Sequence, residues 1–173
     1  MSVPEMHKQG APSKISFAIV IVSDSRYTQF INGELIDDAT TPLIKDLIYK
    51  NGFTVHSTHY IPDERSEITK KLIQLLSSNV NVILFSGGTG LAKRDVTVET
   101  LEPLFEKKIP GFGELLRNLS YEKISSAAML TRSTAGILKD KIIFCLPGSP
   151  DAVKLALEKL ILPECGHILK HLK

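Results

Sequence analysis

A glycine-rich turn is the feature of this sequence that most suggests chemistry. Gly87, Gly88 and Gly90 surround Thr89, directly after a short apolar run. Glycine accepts positive φ, so that consecutive backbone N–H groups can converge on an anion such as phosphate. The turn is not a Walker loop, because no Gly-Lys-Ser/Thr follows, and it lacks the spacing of a dinucleotide fingerprint. Taken alone, it favours a phosphate cradle and an ordinary tight turn about equally.

Charged residues near this turn favour the phosphate interpretation. Lys93, Arg94 and Asp95 lie just beyond it, and a second aspartate, Asp63, follows another apolar run. Mg²⁺ takes one or two carboxylates together with phosphate oxygens and water, so two aspartates beside a phosphate site suit it. Both residues also have a simpler interpretation: Asp95 as the N-cap of a helix that begins near Thr97, and Asp63 as a turn residue.

A second candidate anion site follows the last predicted strand. Ser149 suits an N-cap and Pro150 the first helical position, so the segment Pro147-Gly148-Ser149-Pro150 predicts a helix start. Backbone N–H groups at such a start favour an anion. The alternative is a well-capped helix that binds nothing.

Short apolar runs alternate with amphipathic segments along the chain. The runs predict strands over 15–22, 53–61, 80–85, 127–130 and 141–146, with turns marked by Gly136 and Lys139-Asp140. The amphipathic segments predict helices that begin at Thr41-Pro42 and Ser66, further helices over 97–104 and 112–121, one after Ser149, and a last one over 163–171. This alternation predicts an α/β domain, a three-layer α/β/α sandwich with a mostly parallel sheet.

The predicted topology brings the candidate residues together. Ligands of open α/β sheets bind outside the carboxyl ends of the strands. Polar or glycine-rich segments follow four of the predicted strands there: Ser23-Asp24, Asp63, the glycine turn and the Pro-Gly-Ser-Pro turn. We therefore expect one binding crevice at this edge of the sheet.

Composition limits the class of protein. The chain has 173 residues, 43% hydrophobic and 23% charged, with a net charge of +2. This suits one globular domain over 15–173 after a flexible tail over 1–14, and it gives no support for nucleic-acid or membrane partners. Cys145 and Cys165 predict buried thiols in a reducing, cytoplasmic setting. His167 and His171 share a helix face, but the sequence alone does not favour a metal there.

Several motifs of this sequence, in the same order along the chain, resemble those of the MoaB/MogA family of molybdenum-cofactor biosynthesis proteins, most closely its MoaB branch. They cover nearly everything after the tail: Val22-Ser23-Asp24-Ser25-Arg26, Ile61-Pro62-Asp63-Glu64, Phe85-Ser86-Gly87-Gly88-Thr89-Gly90, Arg94-Asp95-Val96-Thr97-Val98-Glu99, Pro110-Gly111-Phe112-Gly113-Glu114 and Leu146-Pro147-Gly148-Ser149-Pro150.

The resemblance implies the molybdopterin-binding fold and an adenylyltransferase that joins molybdopterin to the AMP part of Mg-ATP and releases pyrophosphate. It implies catalytic roles and Mg²⁺ binding for Asp63 and Asp95, and a homotrimer or homohexamer. The implied substrate-binding residues are Ser23, Asp24, Ser86, Gly87, Gly88, Thr89, Gly90, Arg94, Pro147, Gly148 and Ser149.

Two other functions remain open at this point. The chain could be an oligomer that holds or transfers the pterin without turnover, or a generic nucleotide-binding domain. Mg²⁺-dependent release of pyrophosphate from ATP separates the enzyme from both. The sequence does not distinguish a molybdenum from a tungsten pathway.

Overall fold

A six-stranded sheet forms the centre of the protein in the computed structural model, which describes Pro12 and residues 14–172. The strands are β1 (Ser16–Val22), β2 (Thr54–Ile61), β3 (Val82–Ser86), β4 (Lys107–Lys108), β5 (Thr134–Leu138) and β6 (Lys141–Leu146). Their order across the sheet is β2-β1-β3-β6-β5-β4. The first four strands in this order are parallel, whereas β5 and β4 run antiparallel to their neighbours.

Helices cover both faces of the sheet. They are α1 (Asp24–Ile31), α2 (Thr40–Lys50), α3 (Arg65–Leu76), α4 (Thr97–Leu101), α5 (Pro110–Ile124), α6 (Pro150–Ala156) and α7 (Leu162–His171). Glu102–Leu104 and Ser125–Leu130 form 3₁₀ turns, and a π-helical turn over Leu157–Ile161 joins α6 to α7. The predicted α/β/α sandwich with a mostly parallel sheet is confirmed.

Alternate residues of the central strands enter two separate cores. In β1, Phe17, Ile19 and Ile21 pack in one core with residues of α2, α5, α6 and α7. Ala18 and Val20 point to the other face and pack with α3 and Leu101. Because both faces are covered, β1 reads as a continuous apolar run, as expected for a buried parallel strand.

The predicted strand over 127–130 is wrong. These residues belong to the 3₁₀ turn, and β5 lies a few residues later. A short apolar run does not distinguish a strand from a helical turn. Gly136, expected in the turn between the strands, instead lies inside β5, where a Cβ would stand 2.2 Å from the Phe105 ring. The turn itself is at Lys139, which has a φ of 56°.

Two predicted helix starts also differ from the structure. Helix α2 begins at Thr40 with Ala39 as its N-cap, so Thr41 is not the cap. The first turn is instead supported by Asp38, whose Oδ1 accepts from the backbone N–H of Thr40 at 2.8 Å and of Thr41 at 3.1 Å. Helix α3 begins at Arg65 without a side-chain cap, so Ser66 is not its N-cap. Helix α1, which the sequence did not predict, begins directly after β1.

The two edges of the sheet are irregular. Strand β4 consists of two exposed lysines. Strand β2 at the other edge carries a bulge at His56, because Phe17 pairs with Val55 and Ala18 pairs with Ser57. Both features limit pairing with a further strand.

Several expectations from composition can be compared with the structure. Cys145 and Cys165 are buried and free, as predicted. Within Pro12 and 14–172, we find no helix with both the length and the hydrophobicity needed to cross a bilayer. Apart from Pro12 and Lys14, the predicted tail lies outside the described residues.

Candidate functional site

The glycine turn after β3 requires glycine for steric reasons. Gly87 has a φ of 107° and Gly88 a φ of 62°. A Cβ on Gly87 would lie 2.1 Å from the Val22 carbonyl oxygen, which is far inside contact distance. The turn therefore lies directly against the end of β1, and positive φ is used as the sequence predicted.

Thr97 fixes the glycine turn with two hydrogen bonds. Its hydroxyl donates to the Gly87 carbonyl and its backbone N–H to the Gly88 carbonyl, both at 2.9 Å. Thr97 is fully buried at the start of α4. The turn is therefore fixed to a helix as well as to the sheet, and its geometry is set before any ligand arrives.

Two aspartates from neighbouring strand ends hold each other next to the turn. The backbone N–H of Asp24 donates to Asp63 Oδ2 at 3.2 Å, and that of Asp63 donates to Asp24 Oδ1 at 3.0 Å. Partial burial of Asp63, followed by the charge of Asp24, raises the pKa of the Asp63 carboxyl; the charge of Asp95 acts in the same direction. Negative charge is therefore concentrated here.

The two predicted catalytic aspartates flank the glycine turn. A Cβ built on Gly88 would lie 2.8 Å from Asp63 Oδ1, and one built on Gly90 would lie 2.7 Å from Asp95 Oδ2. The structure thus brings together two carboxylates that are 32 residues apart in the sequence. Asp95 Oδ2 also accepts from the backbone N–H of Ala92 at 2.8 Å. The N-cap of α4 is the next residue along the chain, so the capping interpretation of Asp95 is wrong.

The Pro-Gly-Ser-Pro turn packs directly on the glycine turn. A Cβ on Gly148 would lie 3.7 Å from Gly87 Cα. Ser86 Oγ donates to the Pro147 carbonyl at 2.8 Å, and the Gly87 N–H donates to the carbonyl of Leu146 at 3.1 Å. Ser149 is the N-cap of α6, as predicted, but its hydroxyl makes no capping hydrogen bond. It lines a 190 Å³ pocket instead.

The other predicted binding residues lie at the same edge of the sheet. Ser23 caps α1 by accepting from the backbone N–H of Arg26, at 3.5 Å. The exposed Arg94 is close enough to Asp63 for its positive charge to oppose the rise in the pKa of that carboxyl.

Arg132 was missed by the sequence reasoning and organises the far side of the turn. Its Nε donates to the Thr89 carbonyl at 3.2 Å, a second nitrogen donates to the Gly90 carbonyl, and the guanidinium pairs with the Glu99 carboxylate. Arg132 also lines a 220 Å³ pocket with Arg65, Lys93, Asp95 and Glu99 among its walls. A lone arginine before a strand carries no sequence signal for such a role.

The ion pair between Arg132 and Glu99 should make the stability of the fold depend on pH. Hydrogen bonding from Arg132 holds the pKa of the Glu99 carboxyl below its usual value, although burial opposes this. A lowered native pKa stabilises the fold above the usual glutamate range, and that contribution is lost as pH falls through the native pKa. We therefore expect Glu99→Gln to lower the free energy of unfolding at pH 7, with the difference from wild type closing below about pH 4. Urea unfolding at both pH values measures this, and a difference independent of pH would contradict it.

The carboxylates fit magnesium rather than a metal with an all-protein cage. Among the residues that the structure describes, no group of three or more His, Cys, Asp or Glu side chains is arranged around a metal position. Mg²⁺ commonly takes only one or two carboxylates and completes its shell with water and phosphate oxygens. Asp63 and Asp95 beside a glycine turn supply that donor set.

Comparisons with known proteins identify the family of the chain. A family model described as "Probable molybdopterin binding domain" matches residues 18–167. A relative from Methanocaldococcus jannaschii, "Probable molybdopterin adenylyltransferase", is 44% identical over 97% of this chain and 99% of its own length. "Molybdenum cofactor biosynthesis protein B" of Bacillus subtilis is 38% identical over 100% of this chain and 98% of its own.

A solved structure gives the same answer for the fold. The tungsten cofactor synthesizing protein MoaB from Pyrococcus furiosus superimposes with a TM-score of 0.81 at 39% identity, over 93% of this chain and 98% of its own. The resemblance drawn from the motifs is confirmed. With a family model over most of its length and relatives near 40% identity, this chain belongs to the molybdopterin-binding MoaB/MogA family.

Proposed function

We propose that this protein is a molybdopterin adenylyltransferase. In this reaction a phosphate oxygen of molybdopterin attacks the α-phosphorus of ATP; a new P–O bond forms, and the bond to the β-phosphate oxygen breaks to release pyrophosphate. The observation that carries the proposal is the meeting of Asp63 and Asp95 at the glycine turn. The name of the Methanocaldococcus jannaschii relative supports the same activity.

The chain's own groups would act by positioning and charge. Asp63 and Asp95 would hold Mg²⁺, which when bound neutralises phosphate charge as a Lewis acid. The glycine turn would cradle a phosphate through backbone N–H groups after Gly87, since the Gly87 N–H itself donates to the Leu146 carbonyl. Thr97 fixes the conformation of the turn by donating to the carbonyls of Gly87 and Gly88, so these donors would be positioned in advance. Arg94 and the cations Arg65 and Lys93 along the neighbouring pocket would balance the charge of the polyphosphate.

The remaining candidate residues would bind the pterin side. Ser149 lines a pocket between the end of α5 and the start of α6, and the preceding residues Pro147 and Gly148 pack against the glycine turn at Gly87. Ser23 and Asp24 would close the opposite side, at the start of α1. Ser86 would act indirectly, by fixing the Pro147 carbonyl.

Further parts of the proposal concern the whole molecule. We infer one domain over 15–173, supported by the match of the family model to residues 18–167. We also propose a cytoplasmic homotrimer or homohexamer, with molybdopterin and ATP as its ligands. The names of the relatives support either molybdenum or tungsten as the metal of the finished cofactor.

A second candidate function is a pterin-binding oligomer without turnover. It is favoured by one observation: the name of the Bacillus subtilis relative states a pathway and no reaction. This alternative needs the two turns but not the carboxylates.

One assay separates the candidates. The protein is incubated with ATP and Mg²⁺, with and without molybdopterin, and released pyrophosphate is measured. The proposal expects release only when Mg²⁺ and molybdopterin are both present. Pterin binding without pyrophosphate would support the binding oligomer, and ATP breakdown without pterin would support a generic nucleotide-binding domain. Either result would overturn the proposal.

A further inference from the structure

The last turns of α7 carry two histidines whose ring nitrogens meet. His167 and His171 are four residues apart and so lie on one face of the helix. Their Nε2 atoms are 3.0 Å apart, and the ring centroids are separated by 4.9 Å. Two histidines at this helical spacing are a recurrent pair of transition-metal ligands.

The Glu164 carboxylate forms a hydrogen bond with the His167 ring. His167 Nδ1 lies 3.1 Å from Glu164 Oε2, one helical turn earlier. With Nδ1–H donating to this carboxylate, His167 presents the lone pair of Nε2 toward His171. Histidines that bind metals usually donate their other ring N–H to a carboxylate or carbonyl in this way, which fixes the tautomer and raises the basicity of the ligand nitrogen.

The separation of the two nitrogens indicates the kind of ion. Nitrogens about 2.0–2.1 Å from a metal are about 2.9 Å apart at a right angle and about 3.4 Å apart at a tetrahedral angle. The observed 3.0 Å is the length of an N–H···N hydrogen bond between the rings, and it is also close to the right-angle value, so an ion bound at a right angle would require little movement of either ring. Square-planar and tetragonal sites with right angles are typical of Cu²⁺ and Ni²⁺.

We propose that His167 and His171 form a two-nitrogen binding site for Cu²⁺ or Ni²⁺, with Glu164 orienting the His167 ring. Among the described residues, no third His, Cys, Asp or Glu completes a cage, so the proposed site consists of two imidazole nitrogens. The ion takes the place of the proton between the two Nε2 atoms, and His171 then carries its proton on Nδ1. Cys145 and Cys165 are fully buried, so their thiols do not compete for the ion.

The test is a titration of the full-length, tag-free protein with Cu²⁺, followed by calorimetry and electron paramagnetic resonance. We expect one tight equivalent per chain whose spectrum shows coupling to two imidazole nitrogens. His171→Gln should weaken binding at least tenfold and leave coupling to one nitrogen. Glu164→Gln should weaken binding about tenfold while both nitrogens remain bound, because that residue only orients a ligand.

Matched controls are available on the same chain. His56→Gln changes an exposed histidine on β2, and His7→Gln changes one outside the described residues; both should bind Cu²⁺ as wild type does. His167→Gln provides a second ligand variant should His171→Gln change the helix end. Equal Cu²⁺ affinity in wild type and both ligand variants would overturn the proposal, as would a wild-type spectrum without two coupled nitrogens. Neither readout depends on adenylyl transfer.

Discussion

The Asp63→Asn variant is expected to lose at least about 100-fold in adenylyl-transfer rate and yet to unfold at a higher temperature than wild type. The loss of rate follows from the proposed magnesium site, since removing one preorganised charged group from such a centre typically costs a factor of this size. Asp95→Asn should show a similar loss of rate. Pyrophosphate release in the presence of molybdopterin measures both.

The gain in stability has a separate cause. Burial and the Asp24 charge raise the native pKa of the Asp63 carboxyl. The native state then binds its proton more tightly than the unfolded state does, so stability falls as pH rises through the interval from the unfolded to the native pKa. The full penalty applies at pH values above the native pKa, and a neutral side chain of the same shape removes it. The difference in unfolding temperature, measured without Mg²⁺, should shrink in acid.

Asp46→Asn is the matched control for both measurements. Asp46 forms an exposed ion pair with Lys50, one turn later on α2. Exposed ion pairs contribute little to the free energy of unfolding. Asp46→Asn should leave rate and unfolding temperature unchanged. Wild-type turnover by Asp63→Asn would remove that carboxylate from the mechanism. A lower unfolding temperature would instead mean that its hydrogen bond with the Asp24 N–H outweighs the repulsion.

Gly87→Ala is expected to destabilise the fold by about 3 kcal/mol or more, because two costs add. The new methyl group would lie 2.1 Å from the Val22 carbonyl oxygen, a backbone atom that cannot rotate away. The backbone is also held at a φ of 107°, where a side chain is strained. Chemical denaturation measures the loss, and pyrophosphate release should fall with it.

Substitutions at two other glycines distinguish the cost of steric overlap from the cost of backbone strain. Gly52 has a φ of 76° but open space around its Cβ position, so Gly52→Ala should report backbone strain alone, about 1 kcal/mol. Gly111 lies in the first turn of α5 with open space and no positive φ, so Gly111→Ala should be neutral or slightly stabilising. If Gly87→Ala destabilised no more than Gly52→Ala, close packing of the glycine turn on β1 would not matter to stability.

Much of the fold could be predicted because its central strands are buried on both faces. Such strands are short, apolar and bounded by polar turns, so the sequence predicts β1, β3 and β6 directly. Strand β5 was missed because Gly136 resembles a turn signal; only the structure shows that the Phe105 ring occupies the space of its missing side chain. The contact between Gly136 and Phe105, which are distant in sequence, therefore determines why a glycine stands in this strand.

The candidate site was predictable where it follows from topology. Parallel strands end at one edge, so Asp63, the glycine turn and the Pro-Gly-Ser-Pro turn had to approach one another. Arg132 was not predictable in the same way. Its role rests on carbonyl oxygens of Thr89 and Gly90, and backbone acceptors leave no residue-type signal in a sequence.

The irregular edges of the sheet constrain how copies of this protein can associate. Growth of one sheet into the next requires a straight strand with regularly spaced free donors and acceptors. At one edge the exposed strand is only two lysines long, and at the other edge the bulge at His56 breaks the regular spacing. Both edges therefore disfavour growth of one native sheet into another, and contacts between copies of this chain would favour side-chain packing of helices and loops.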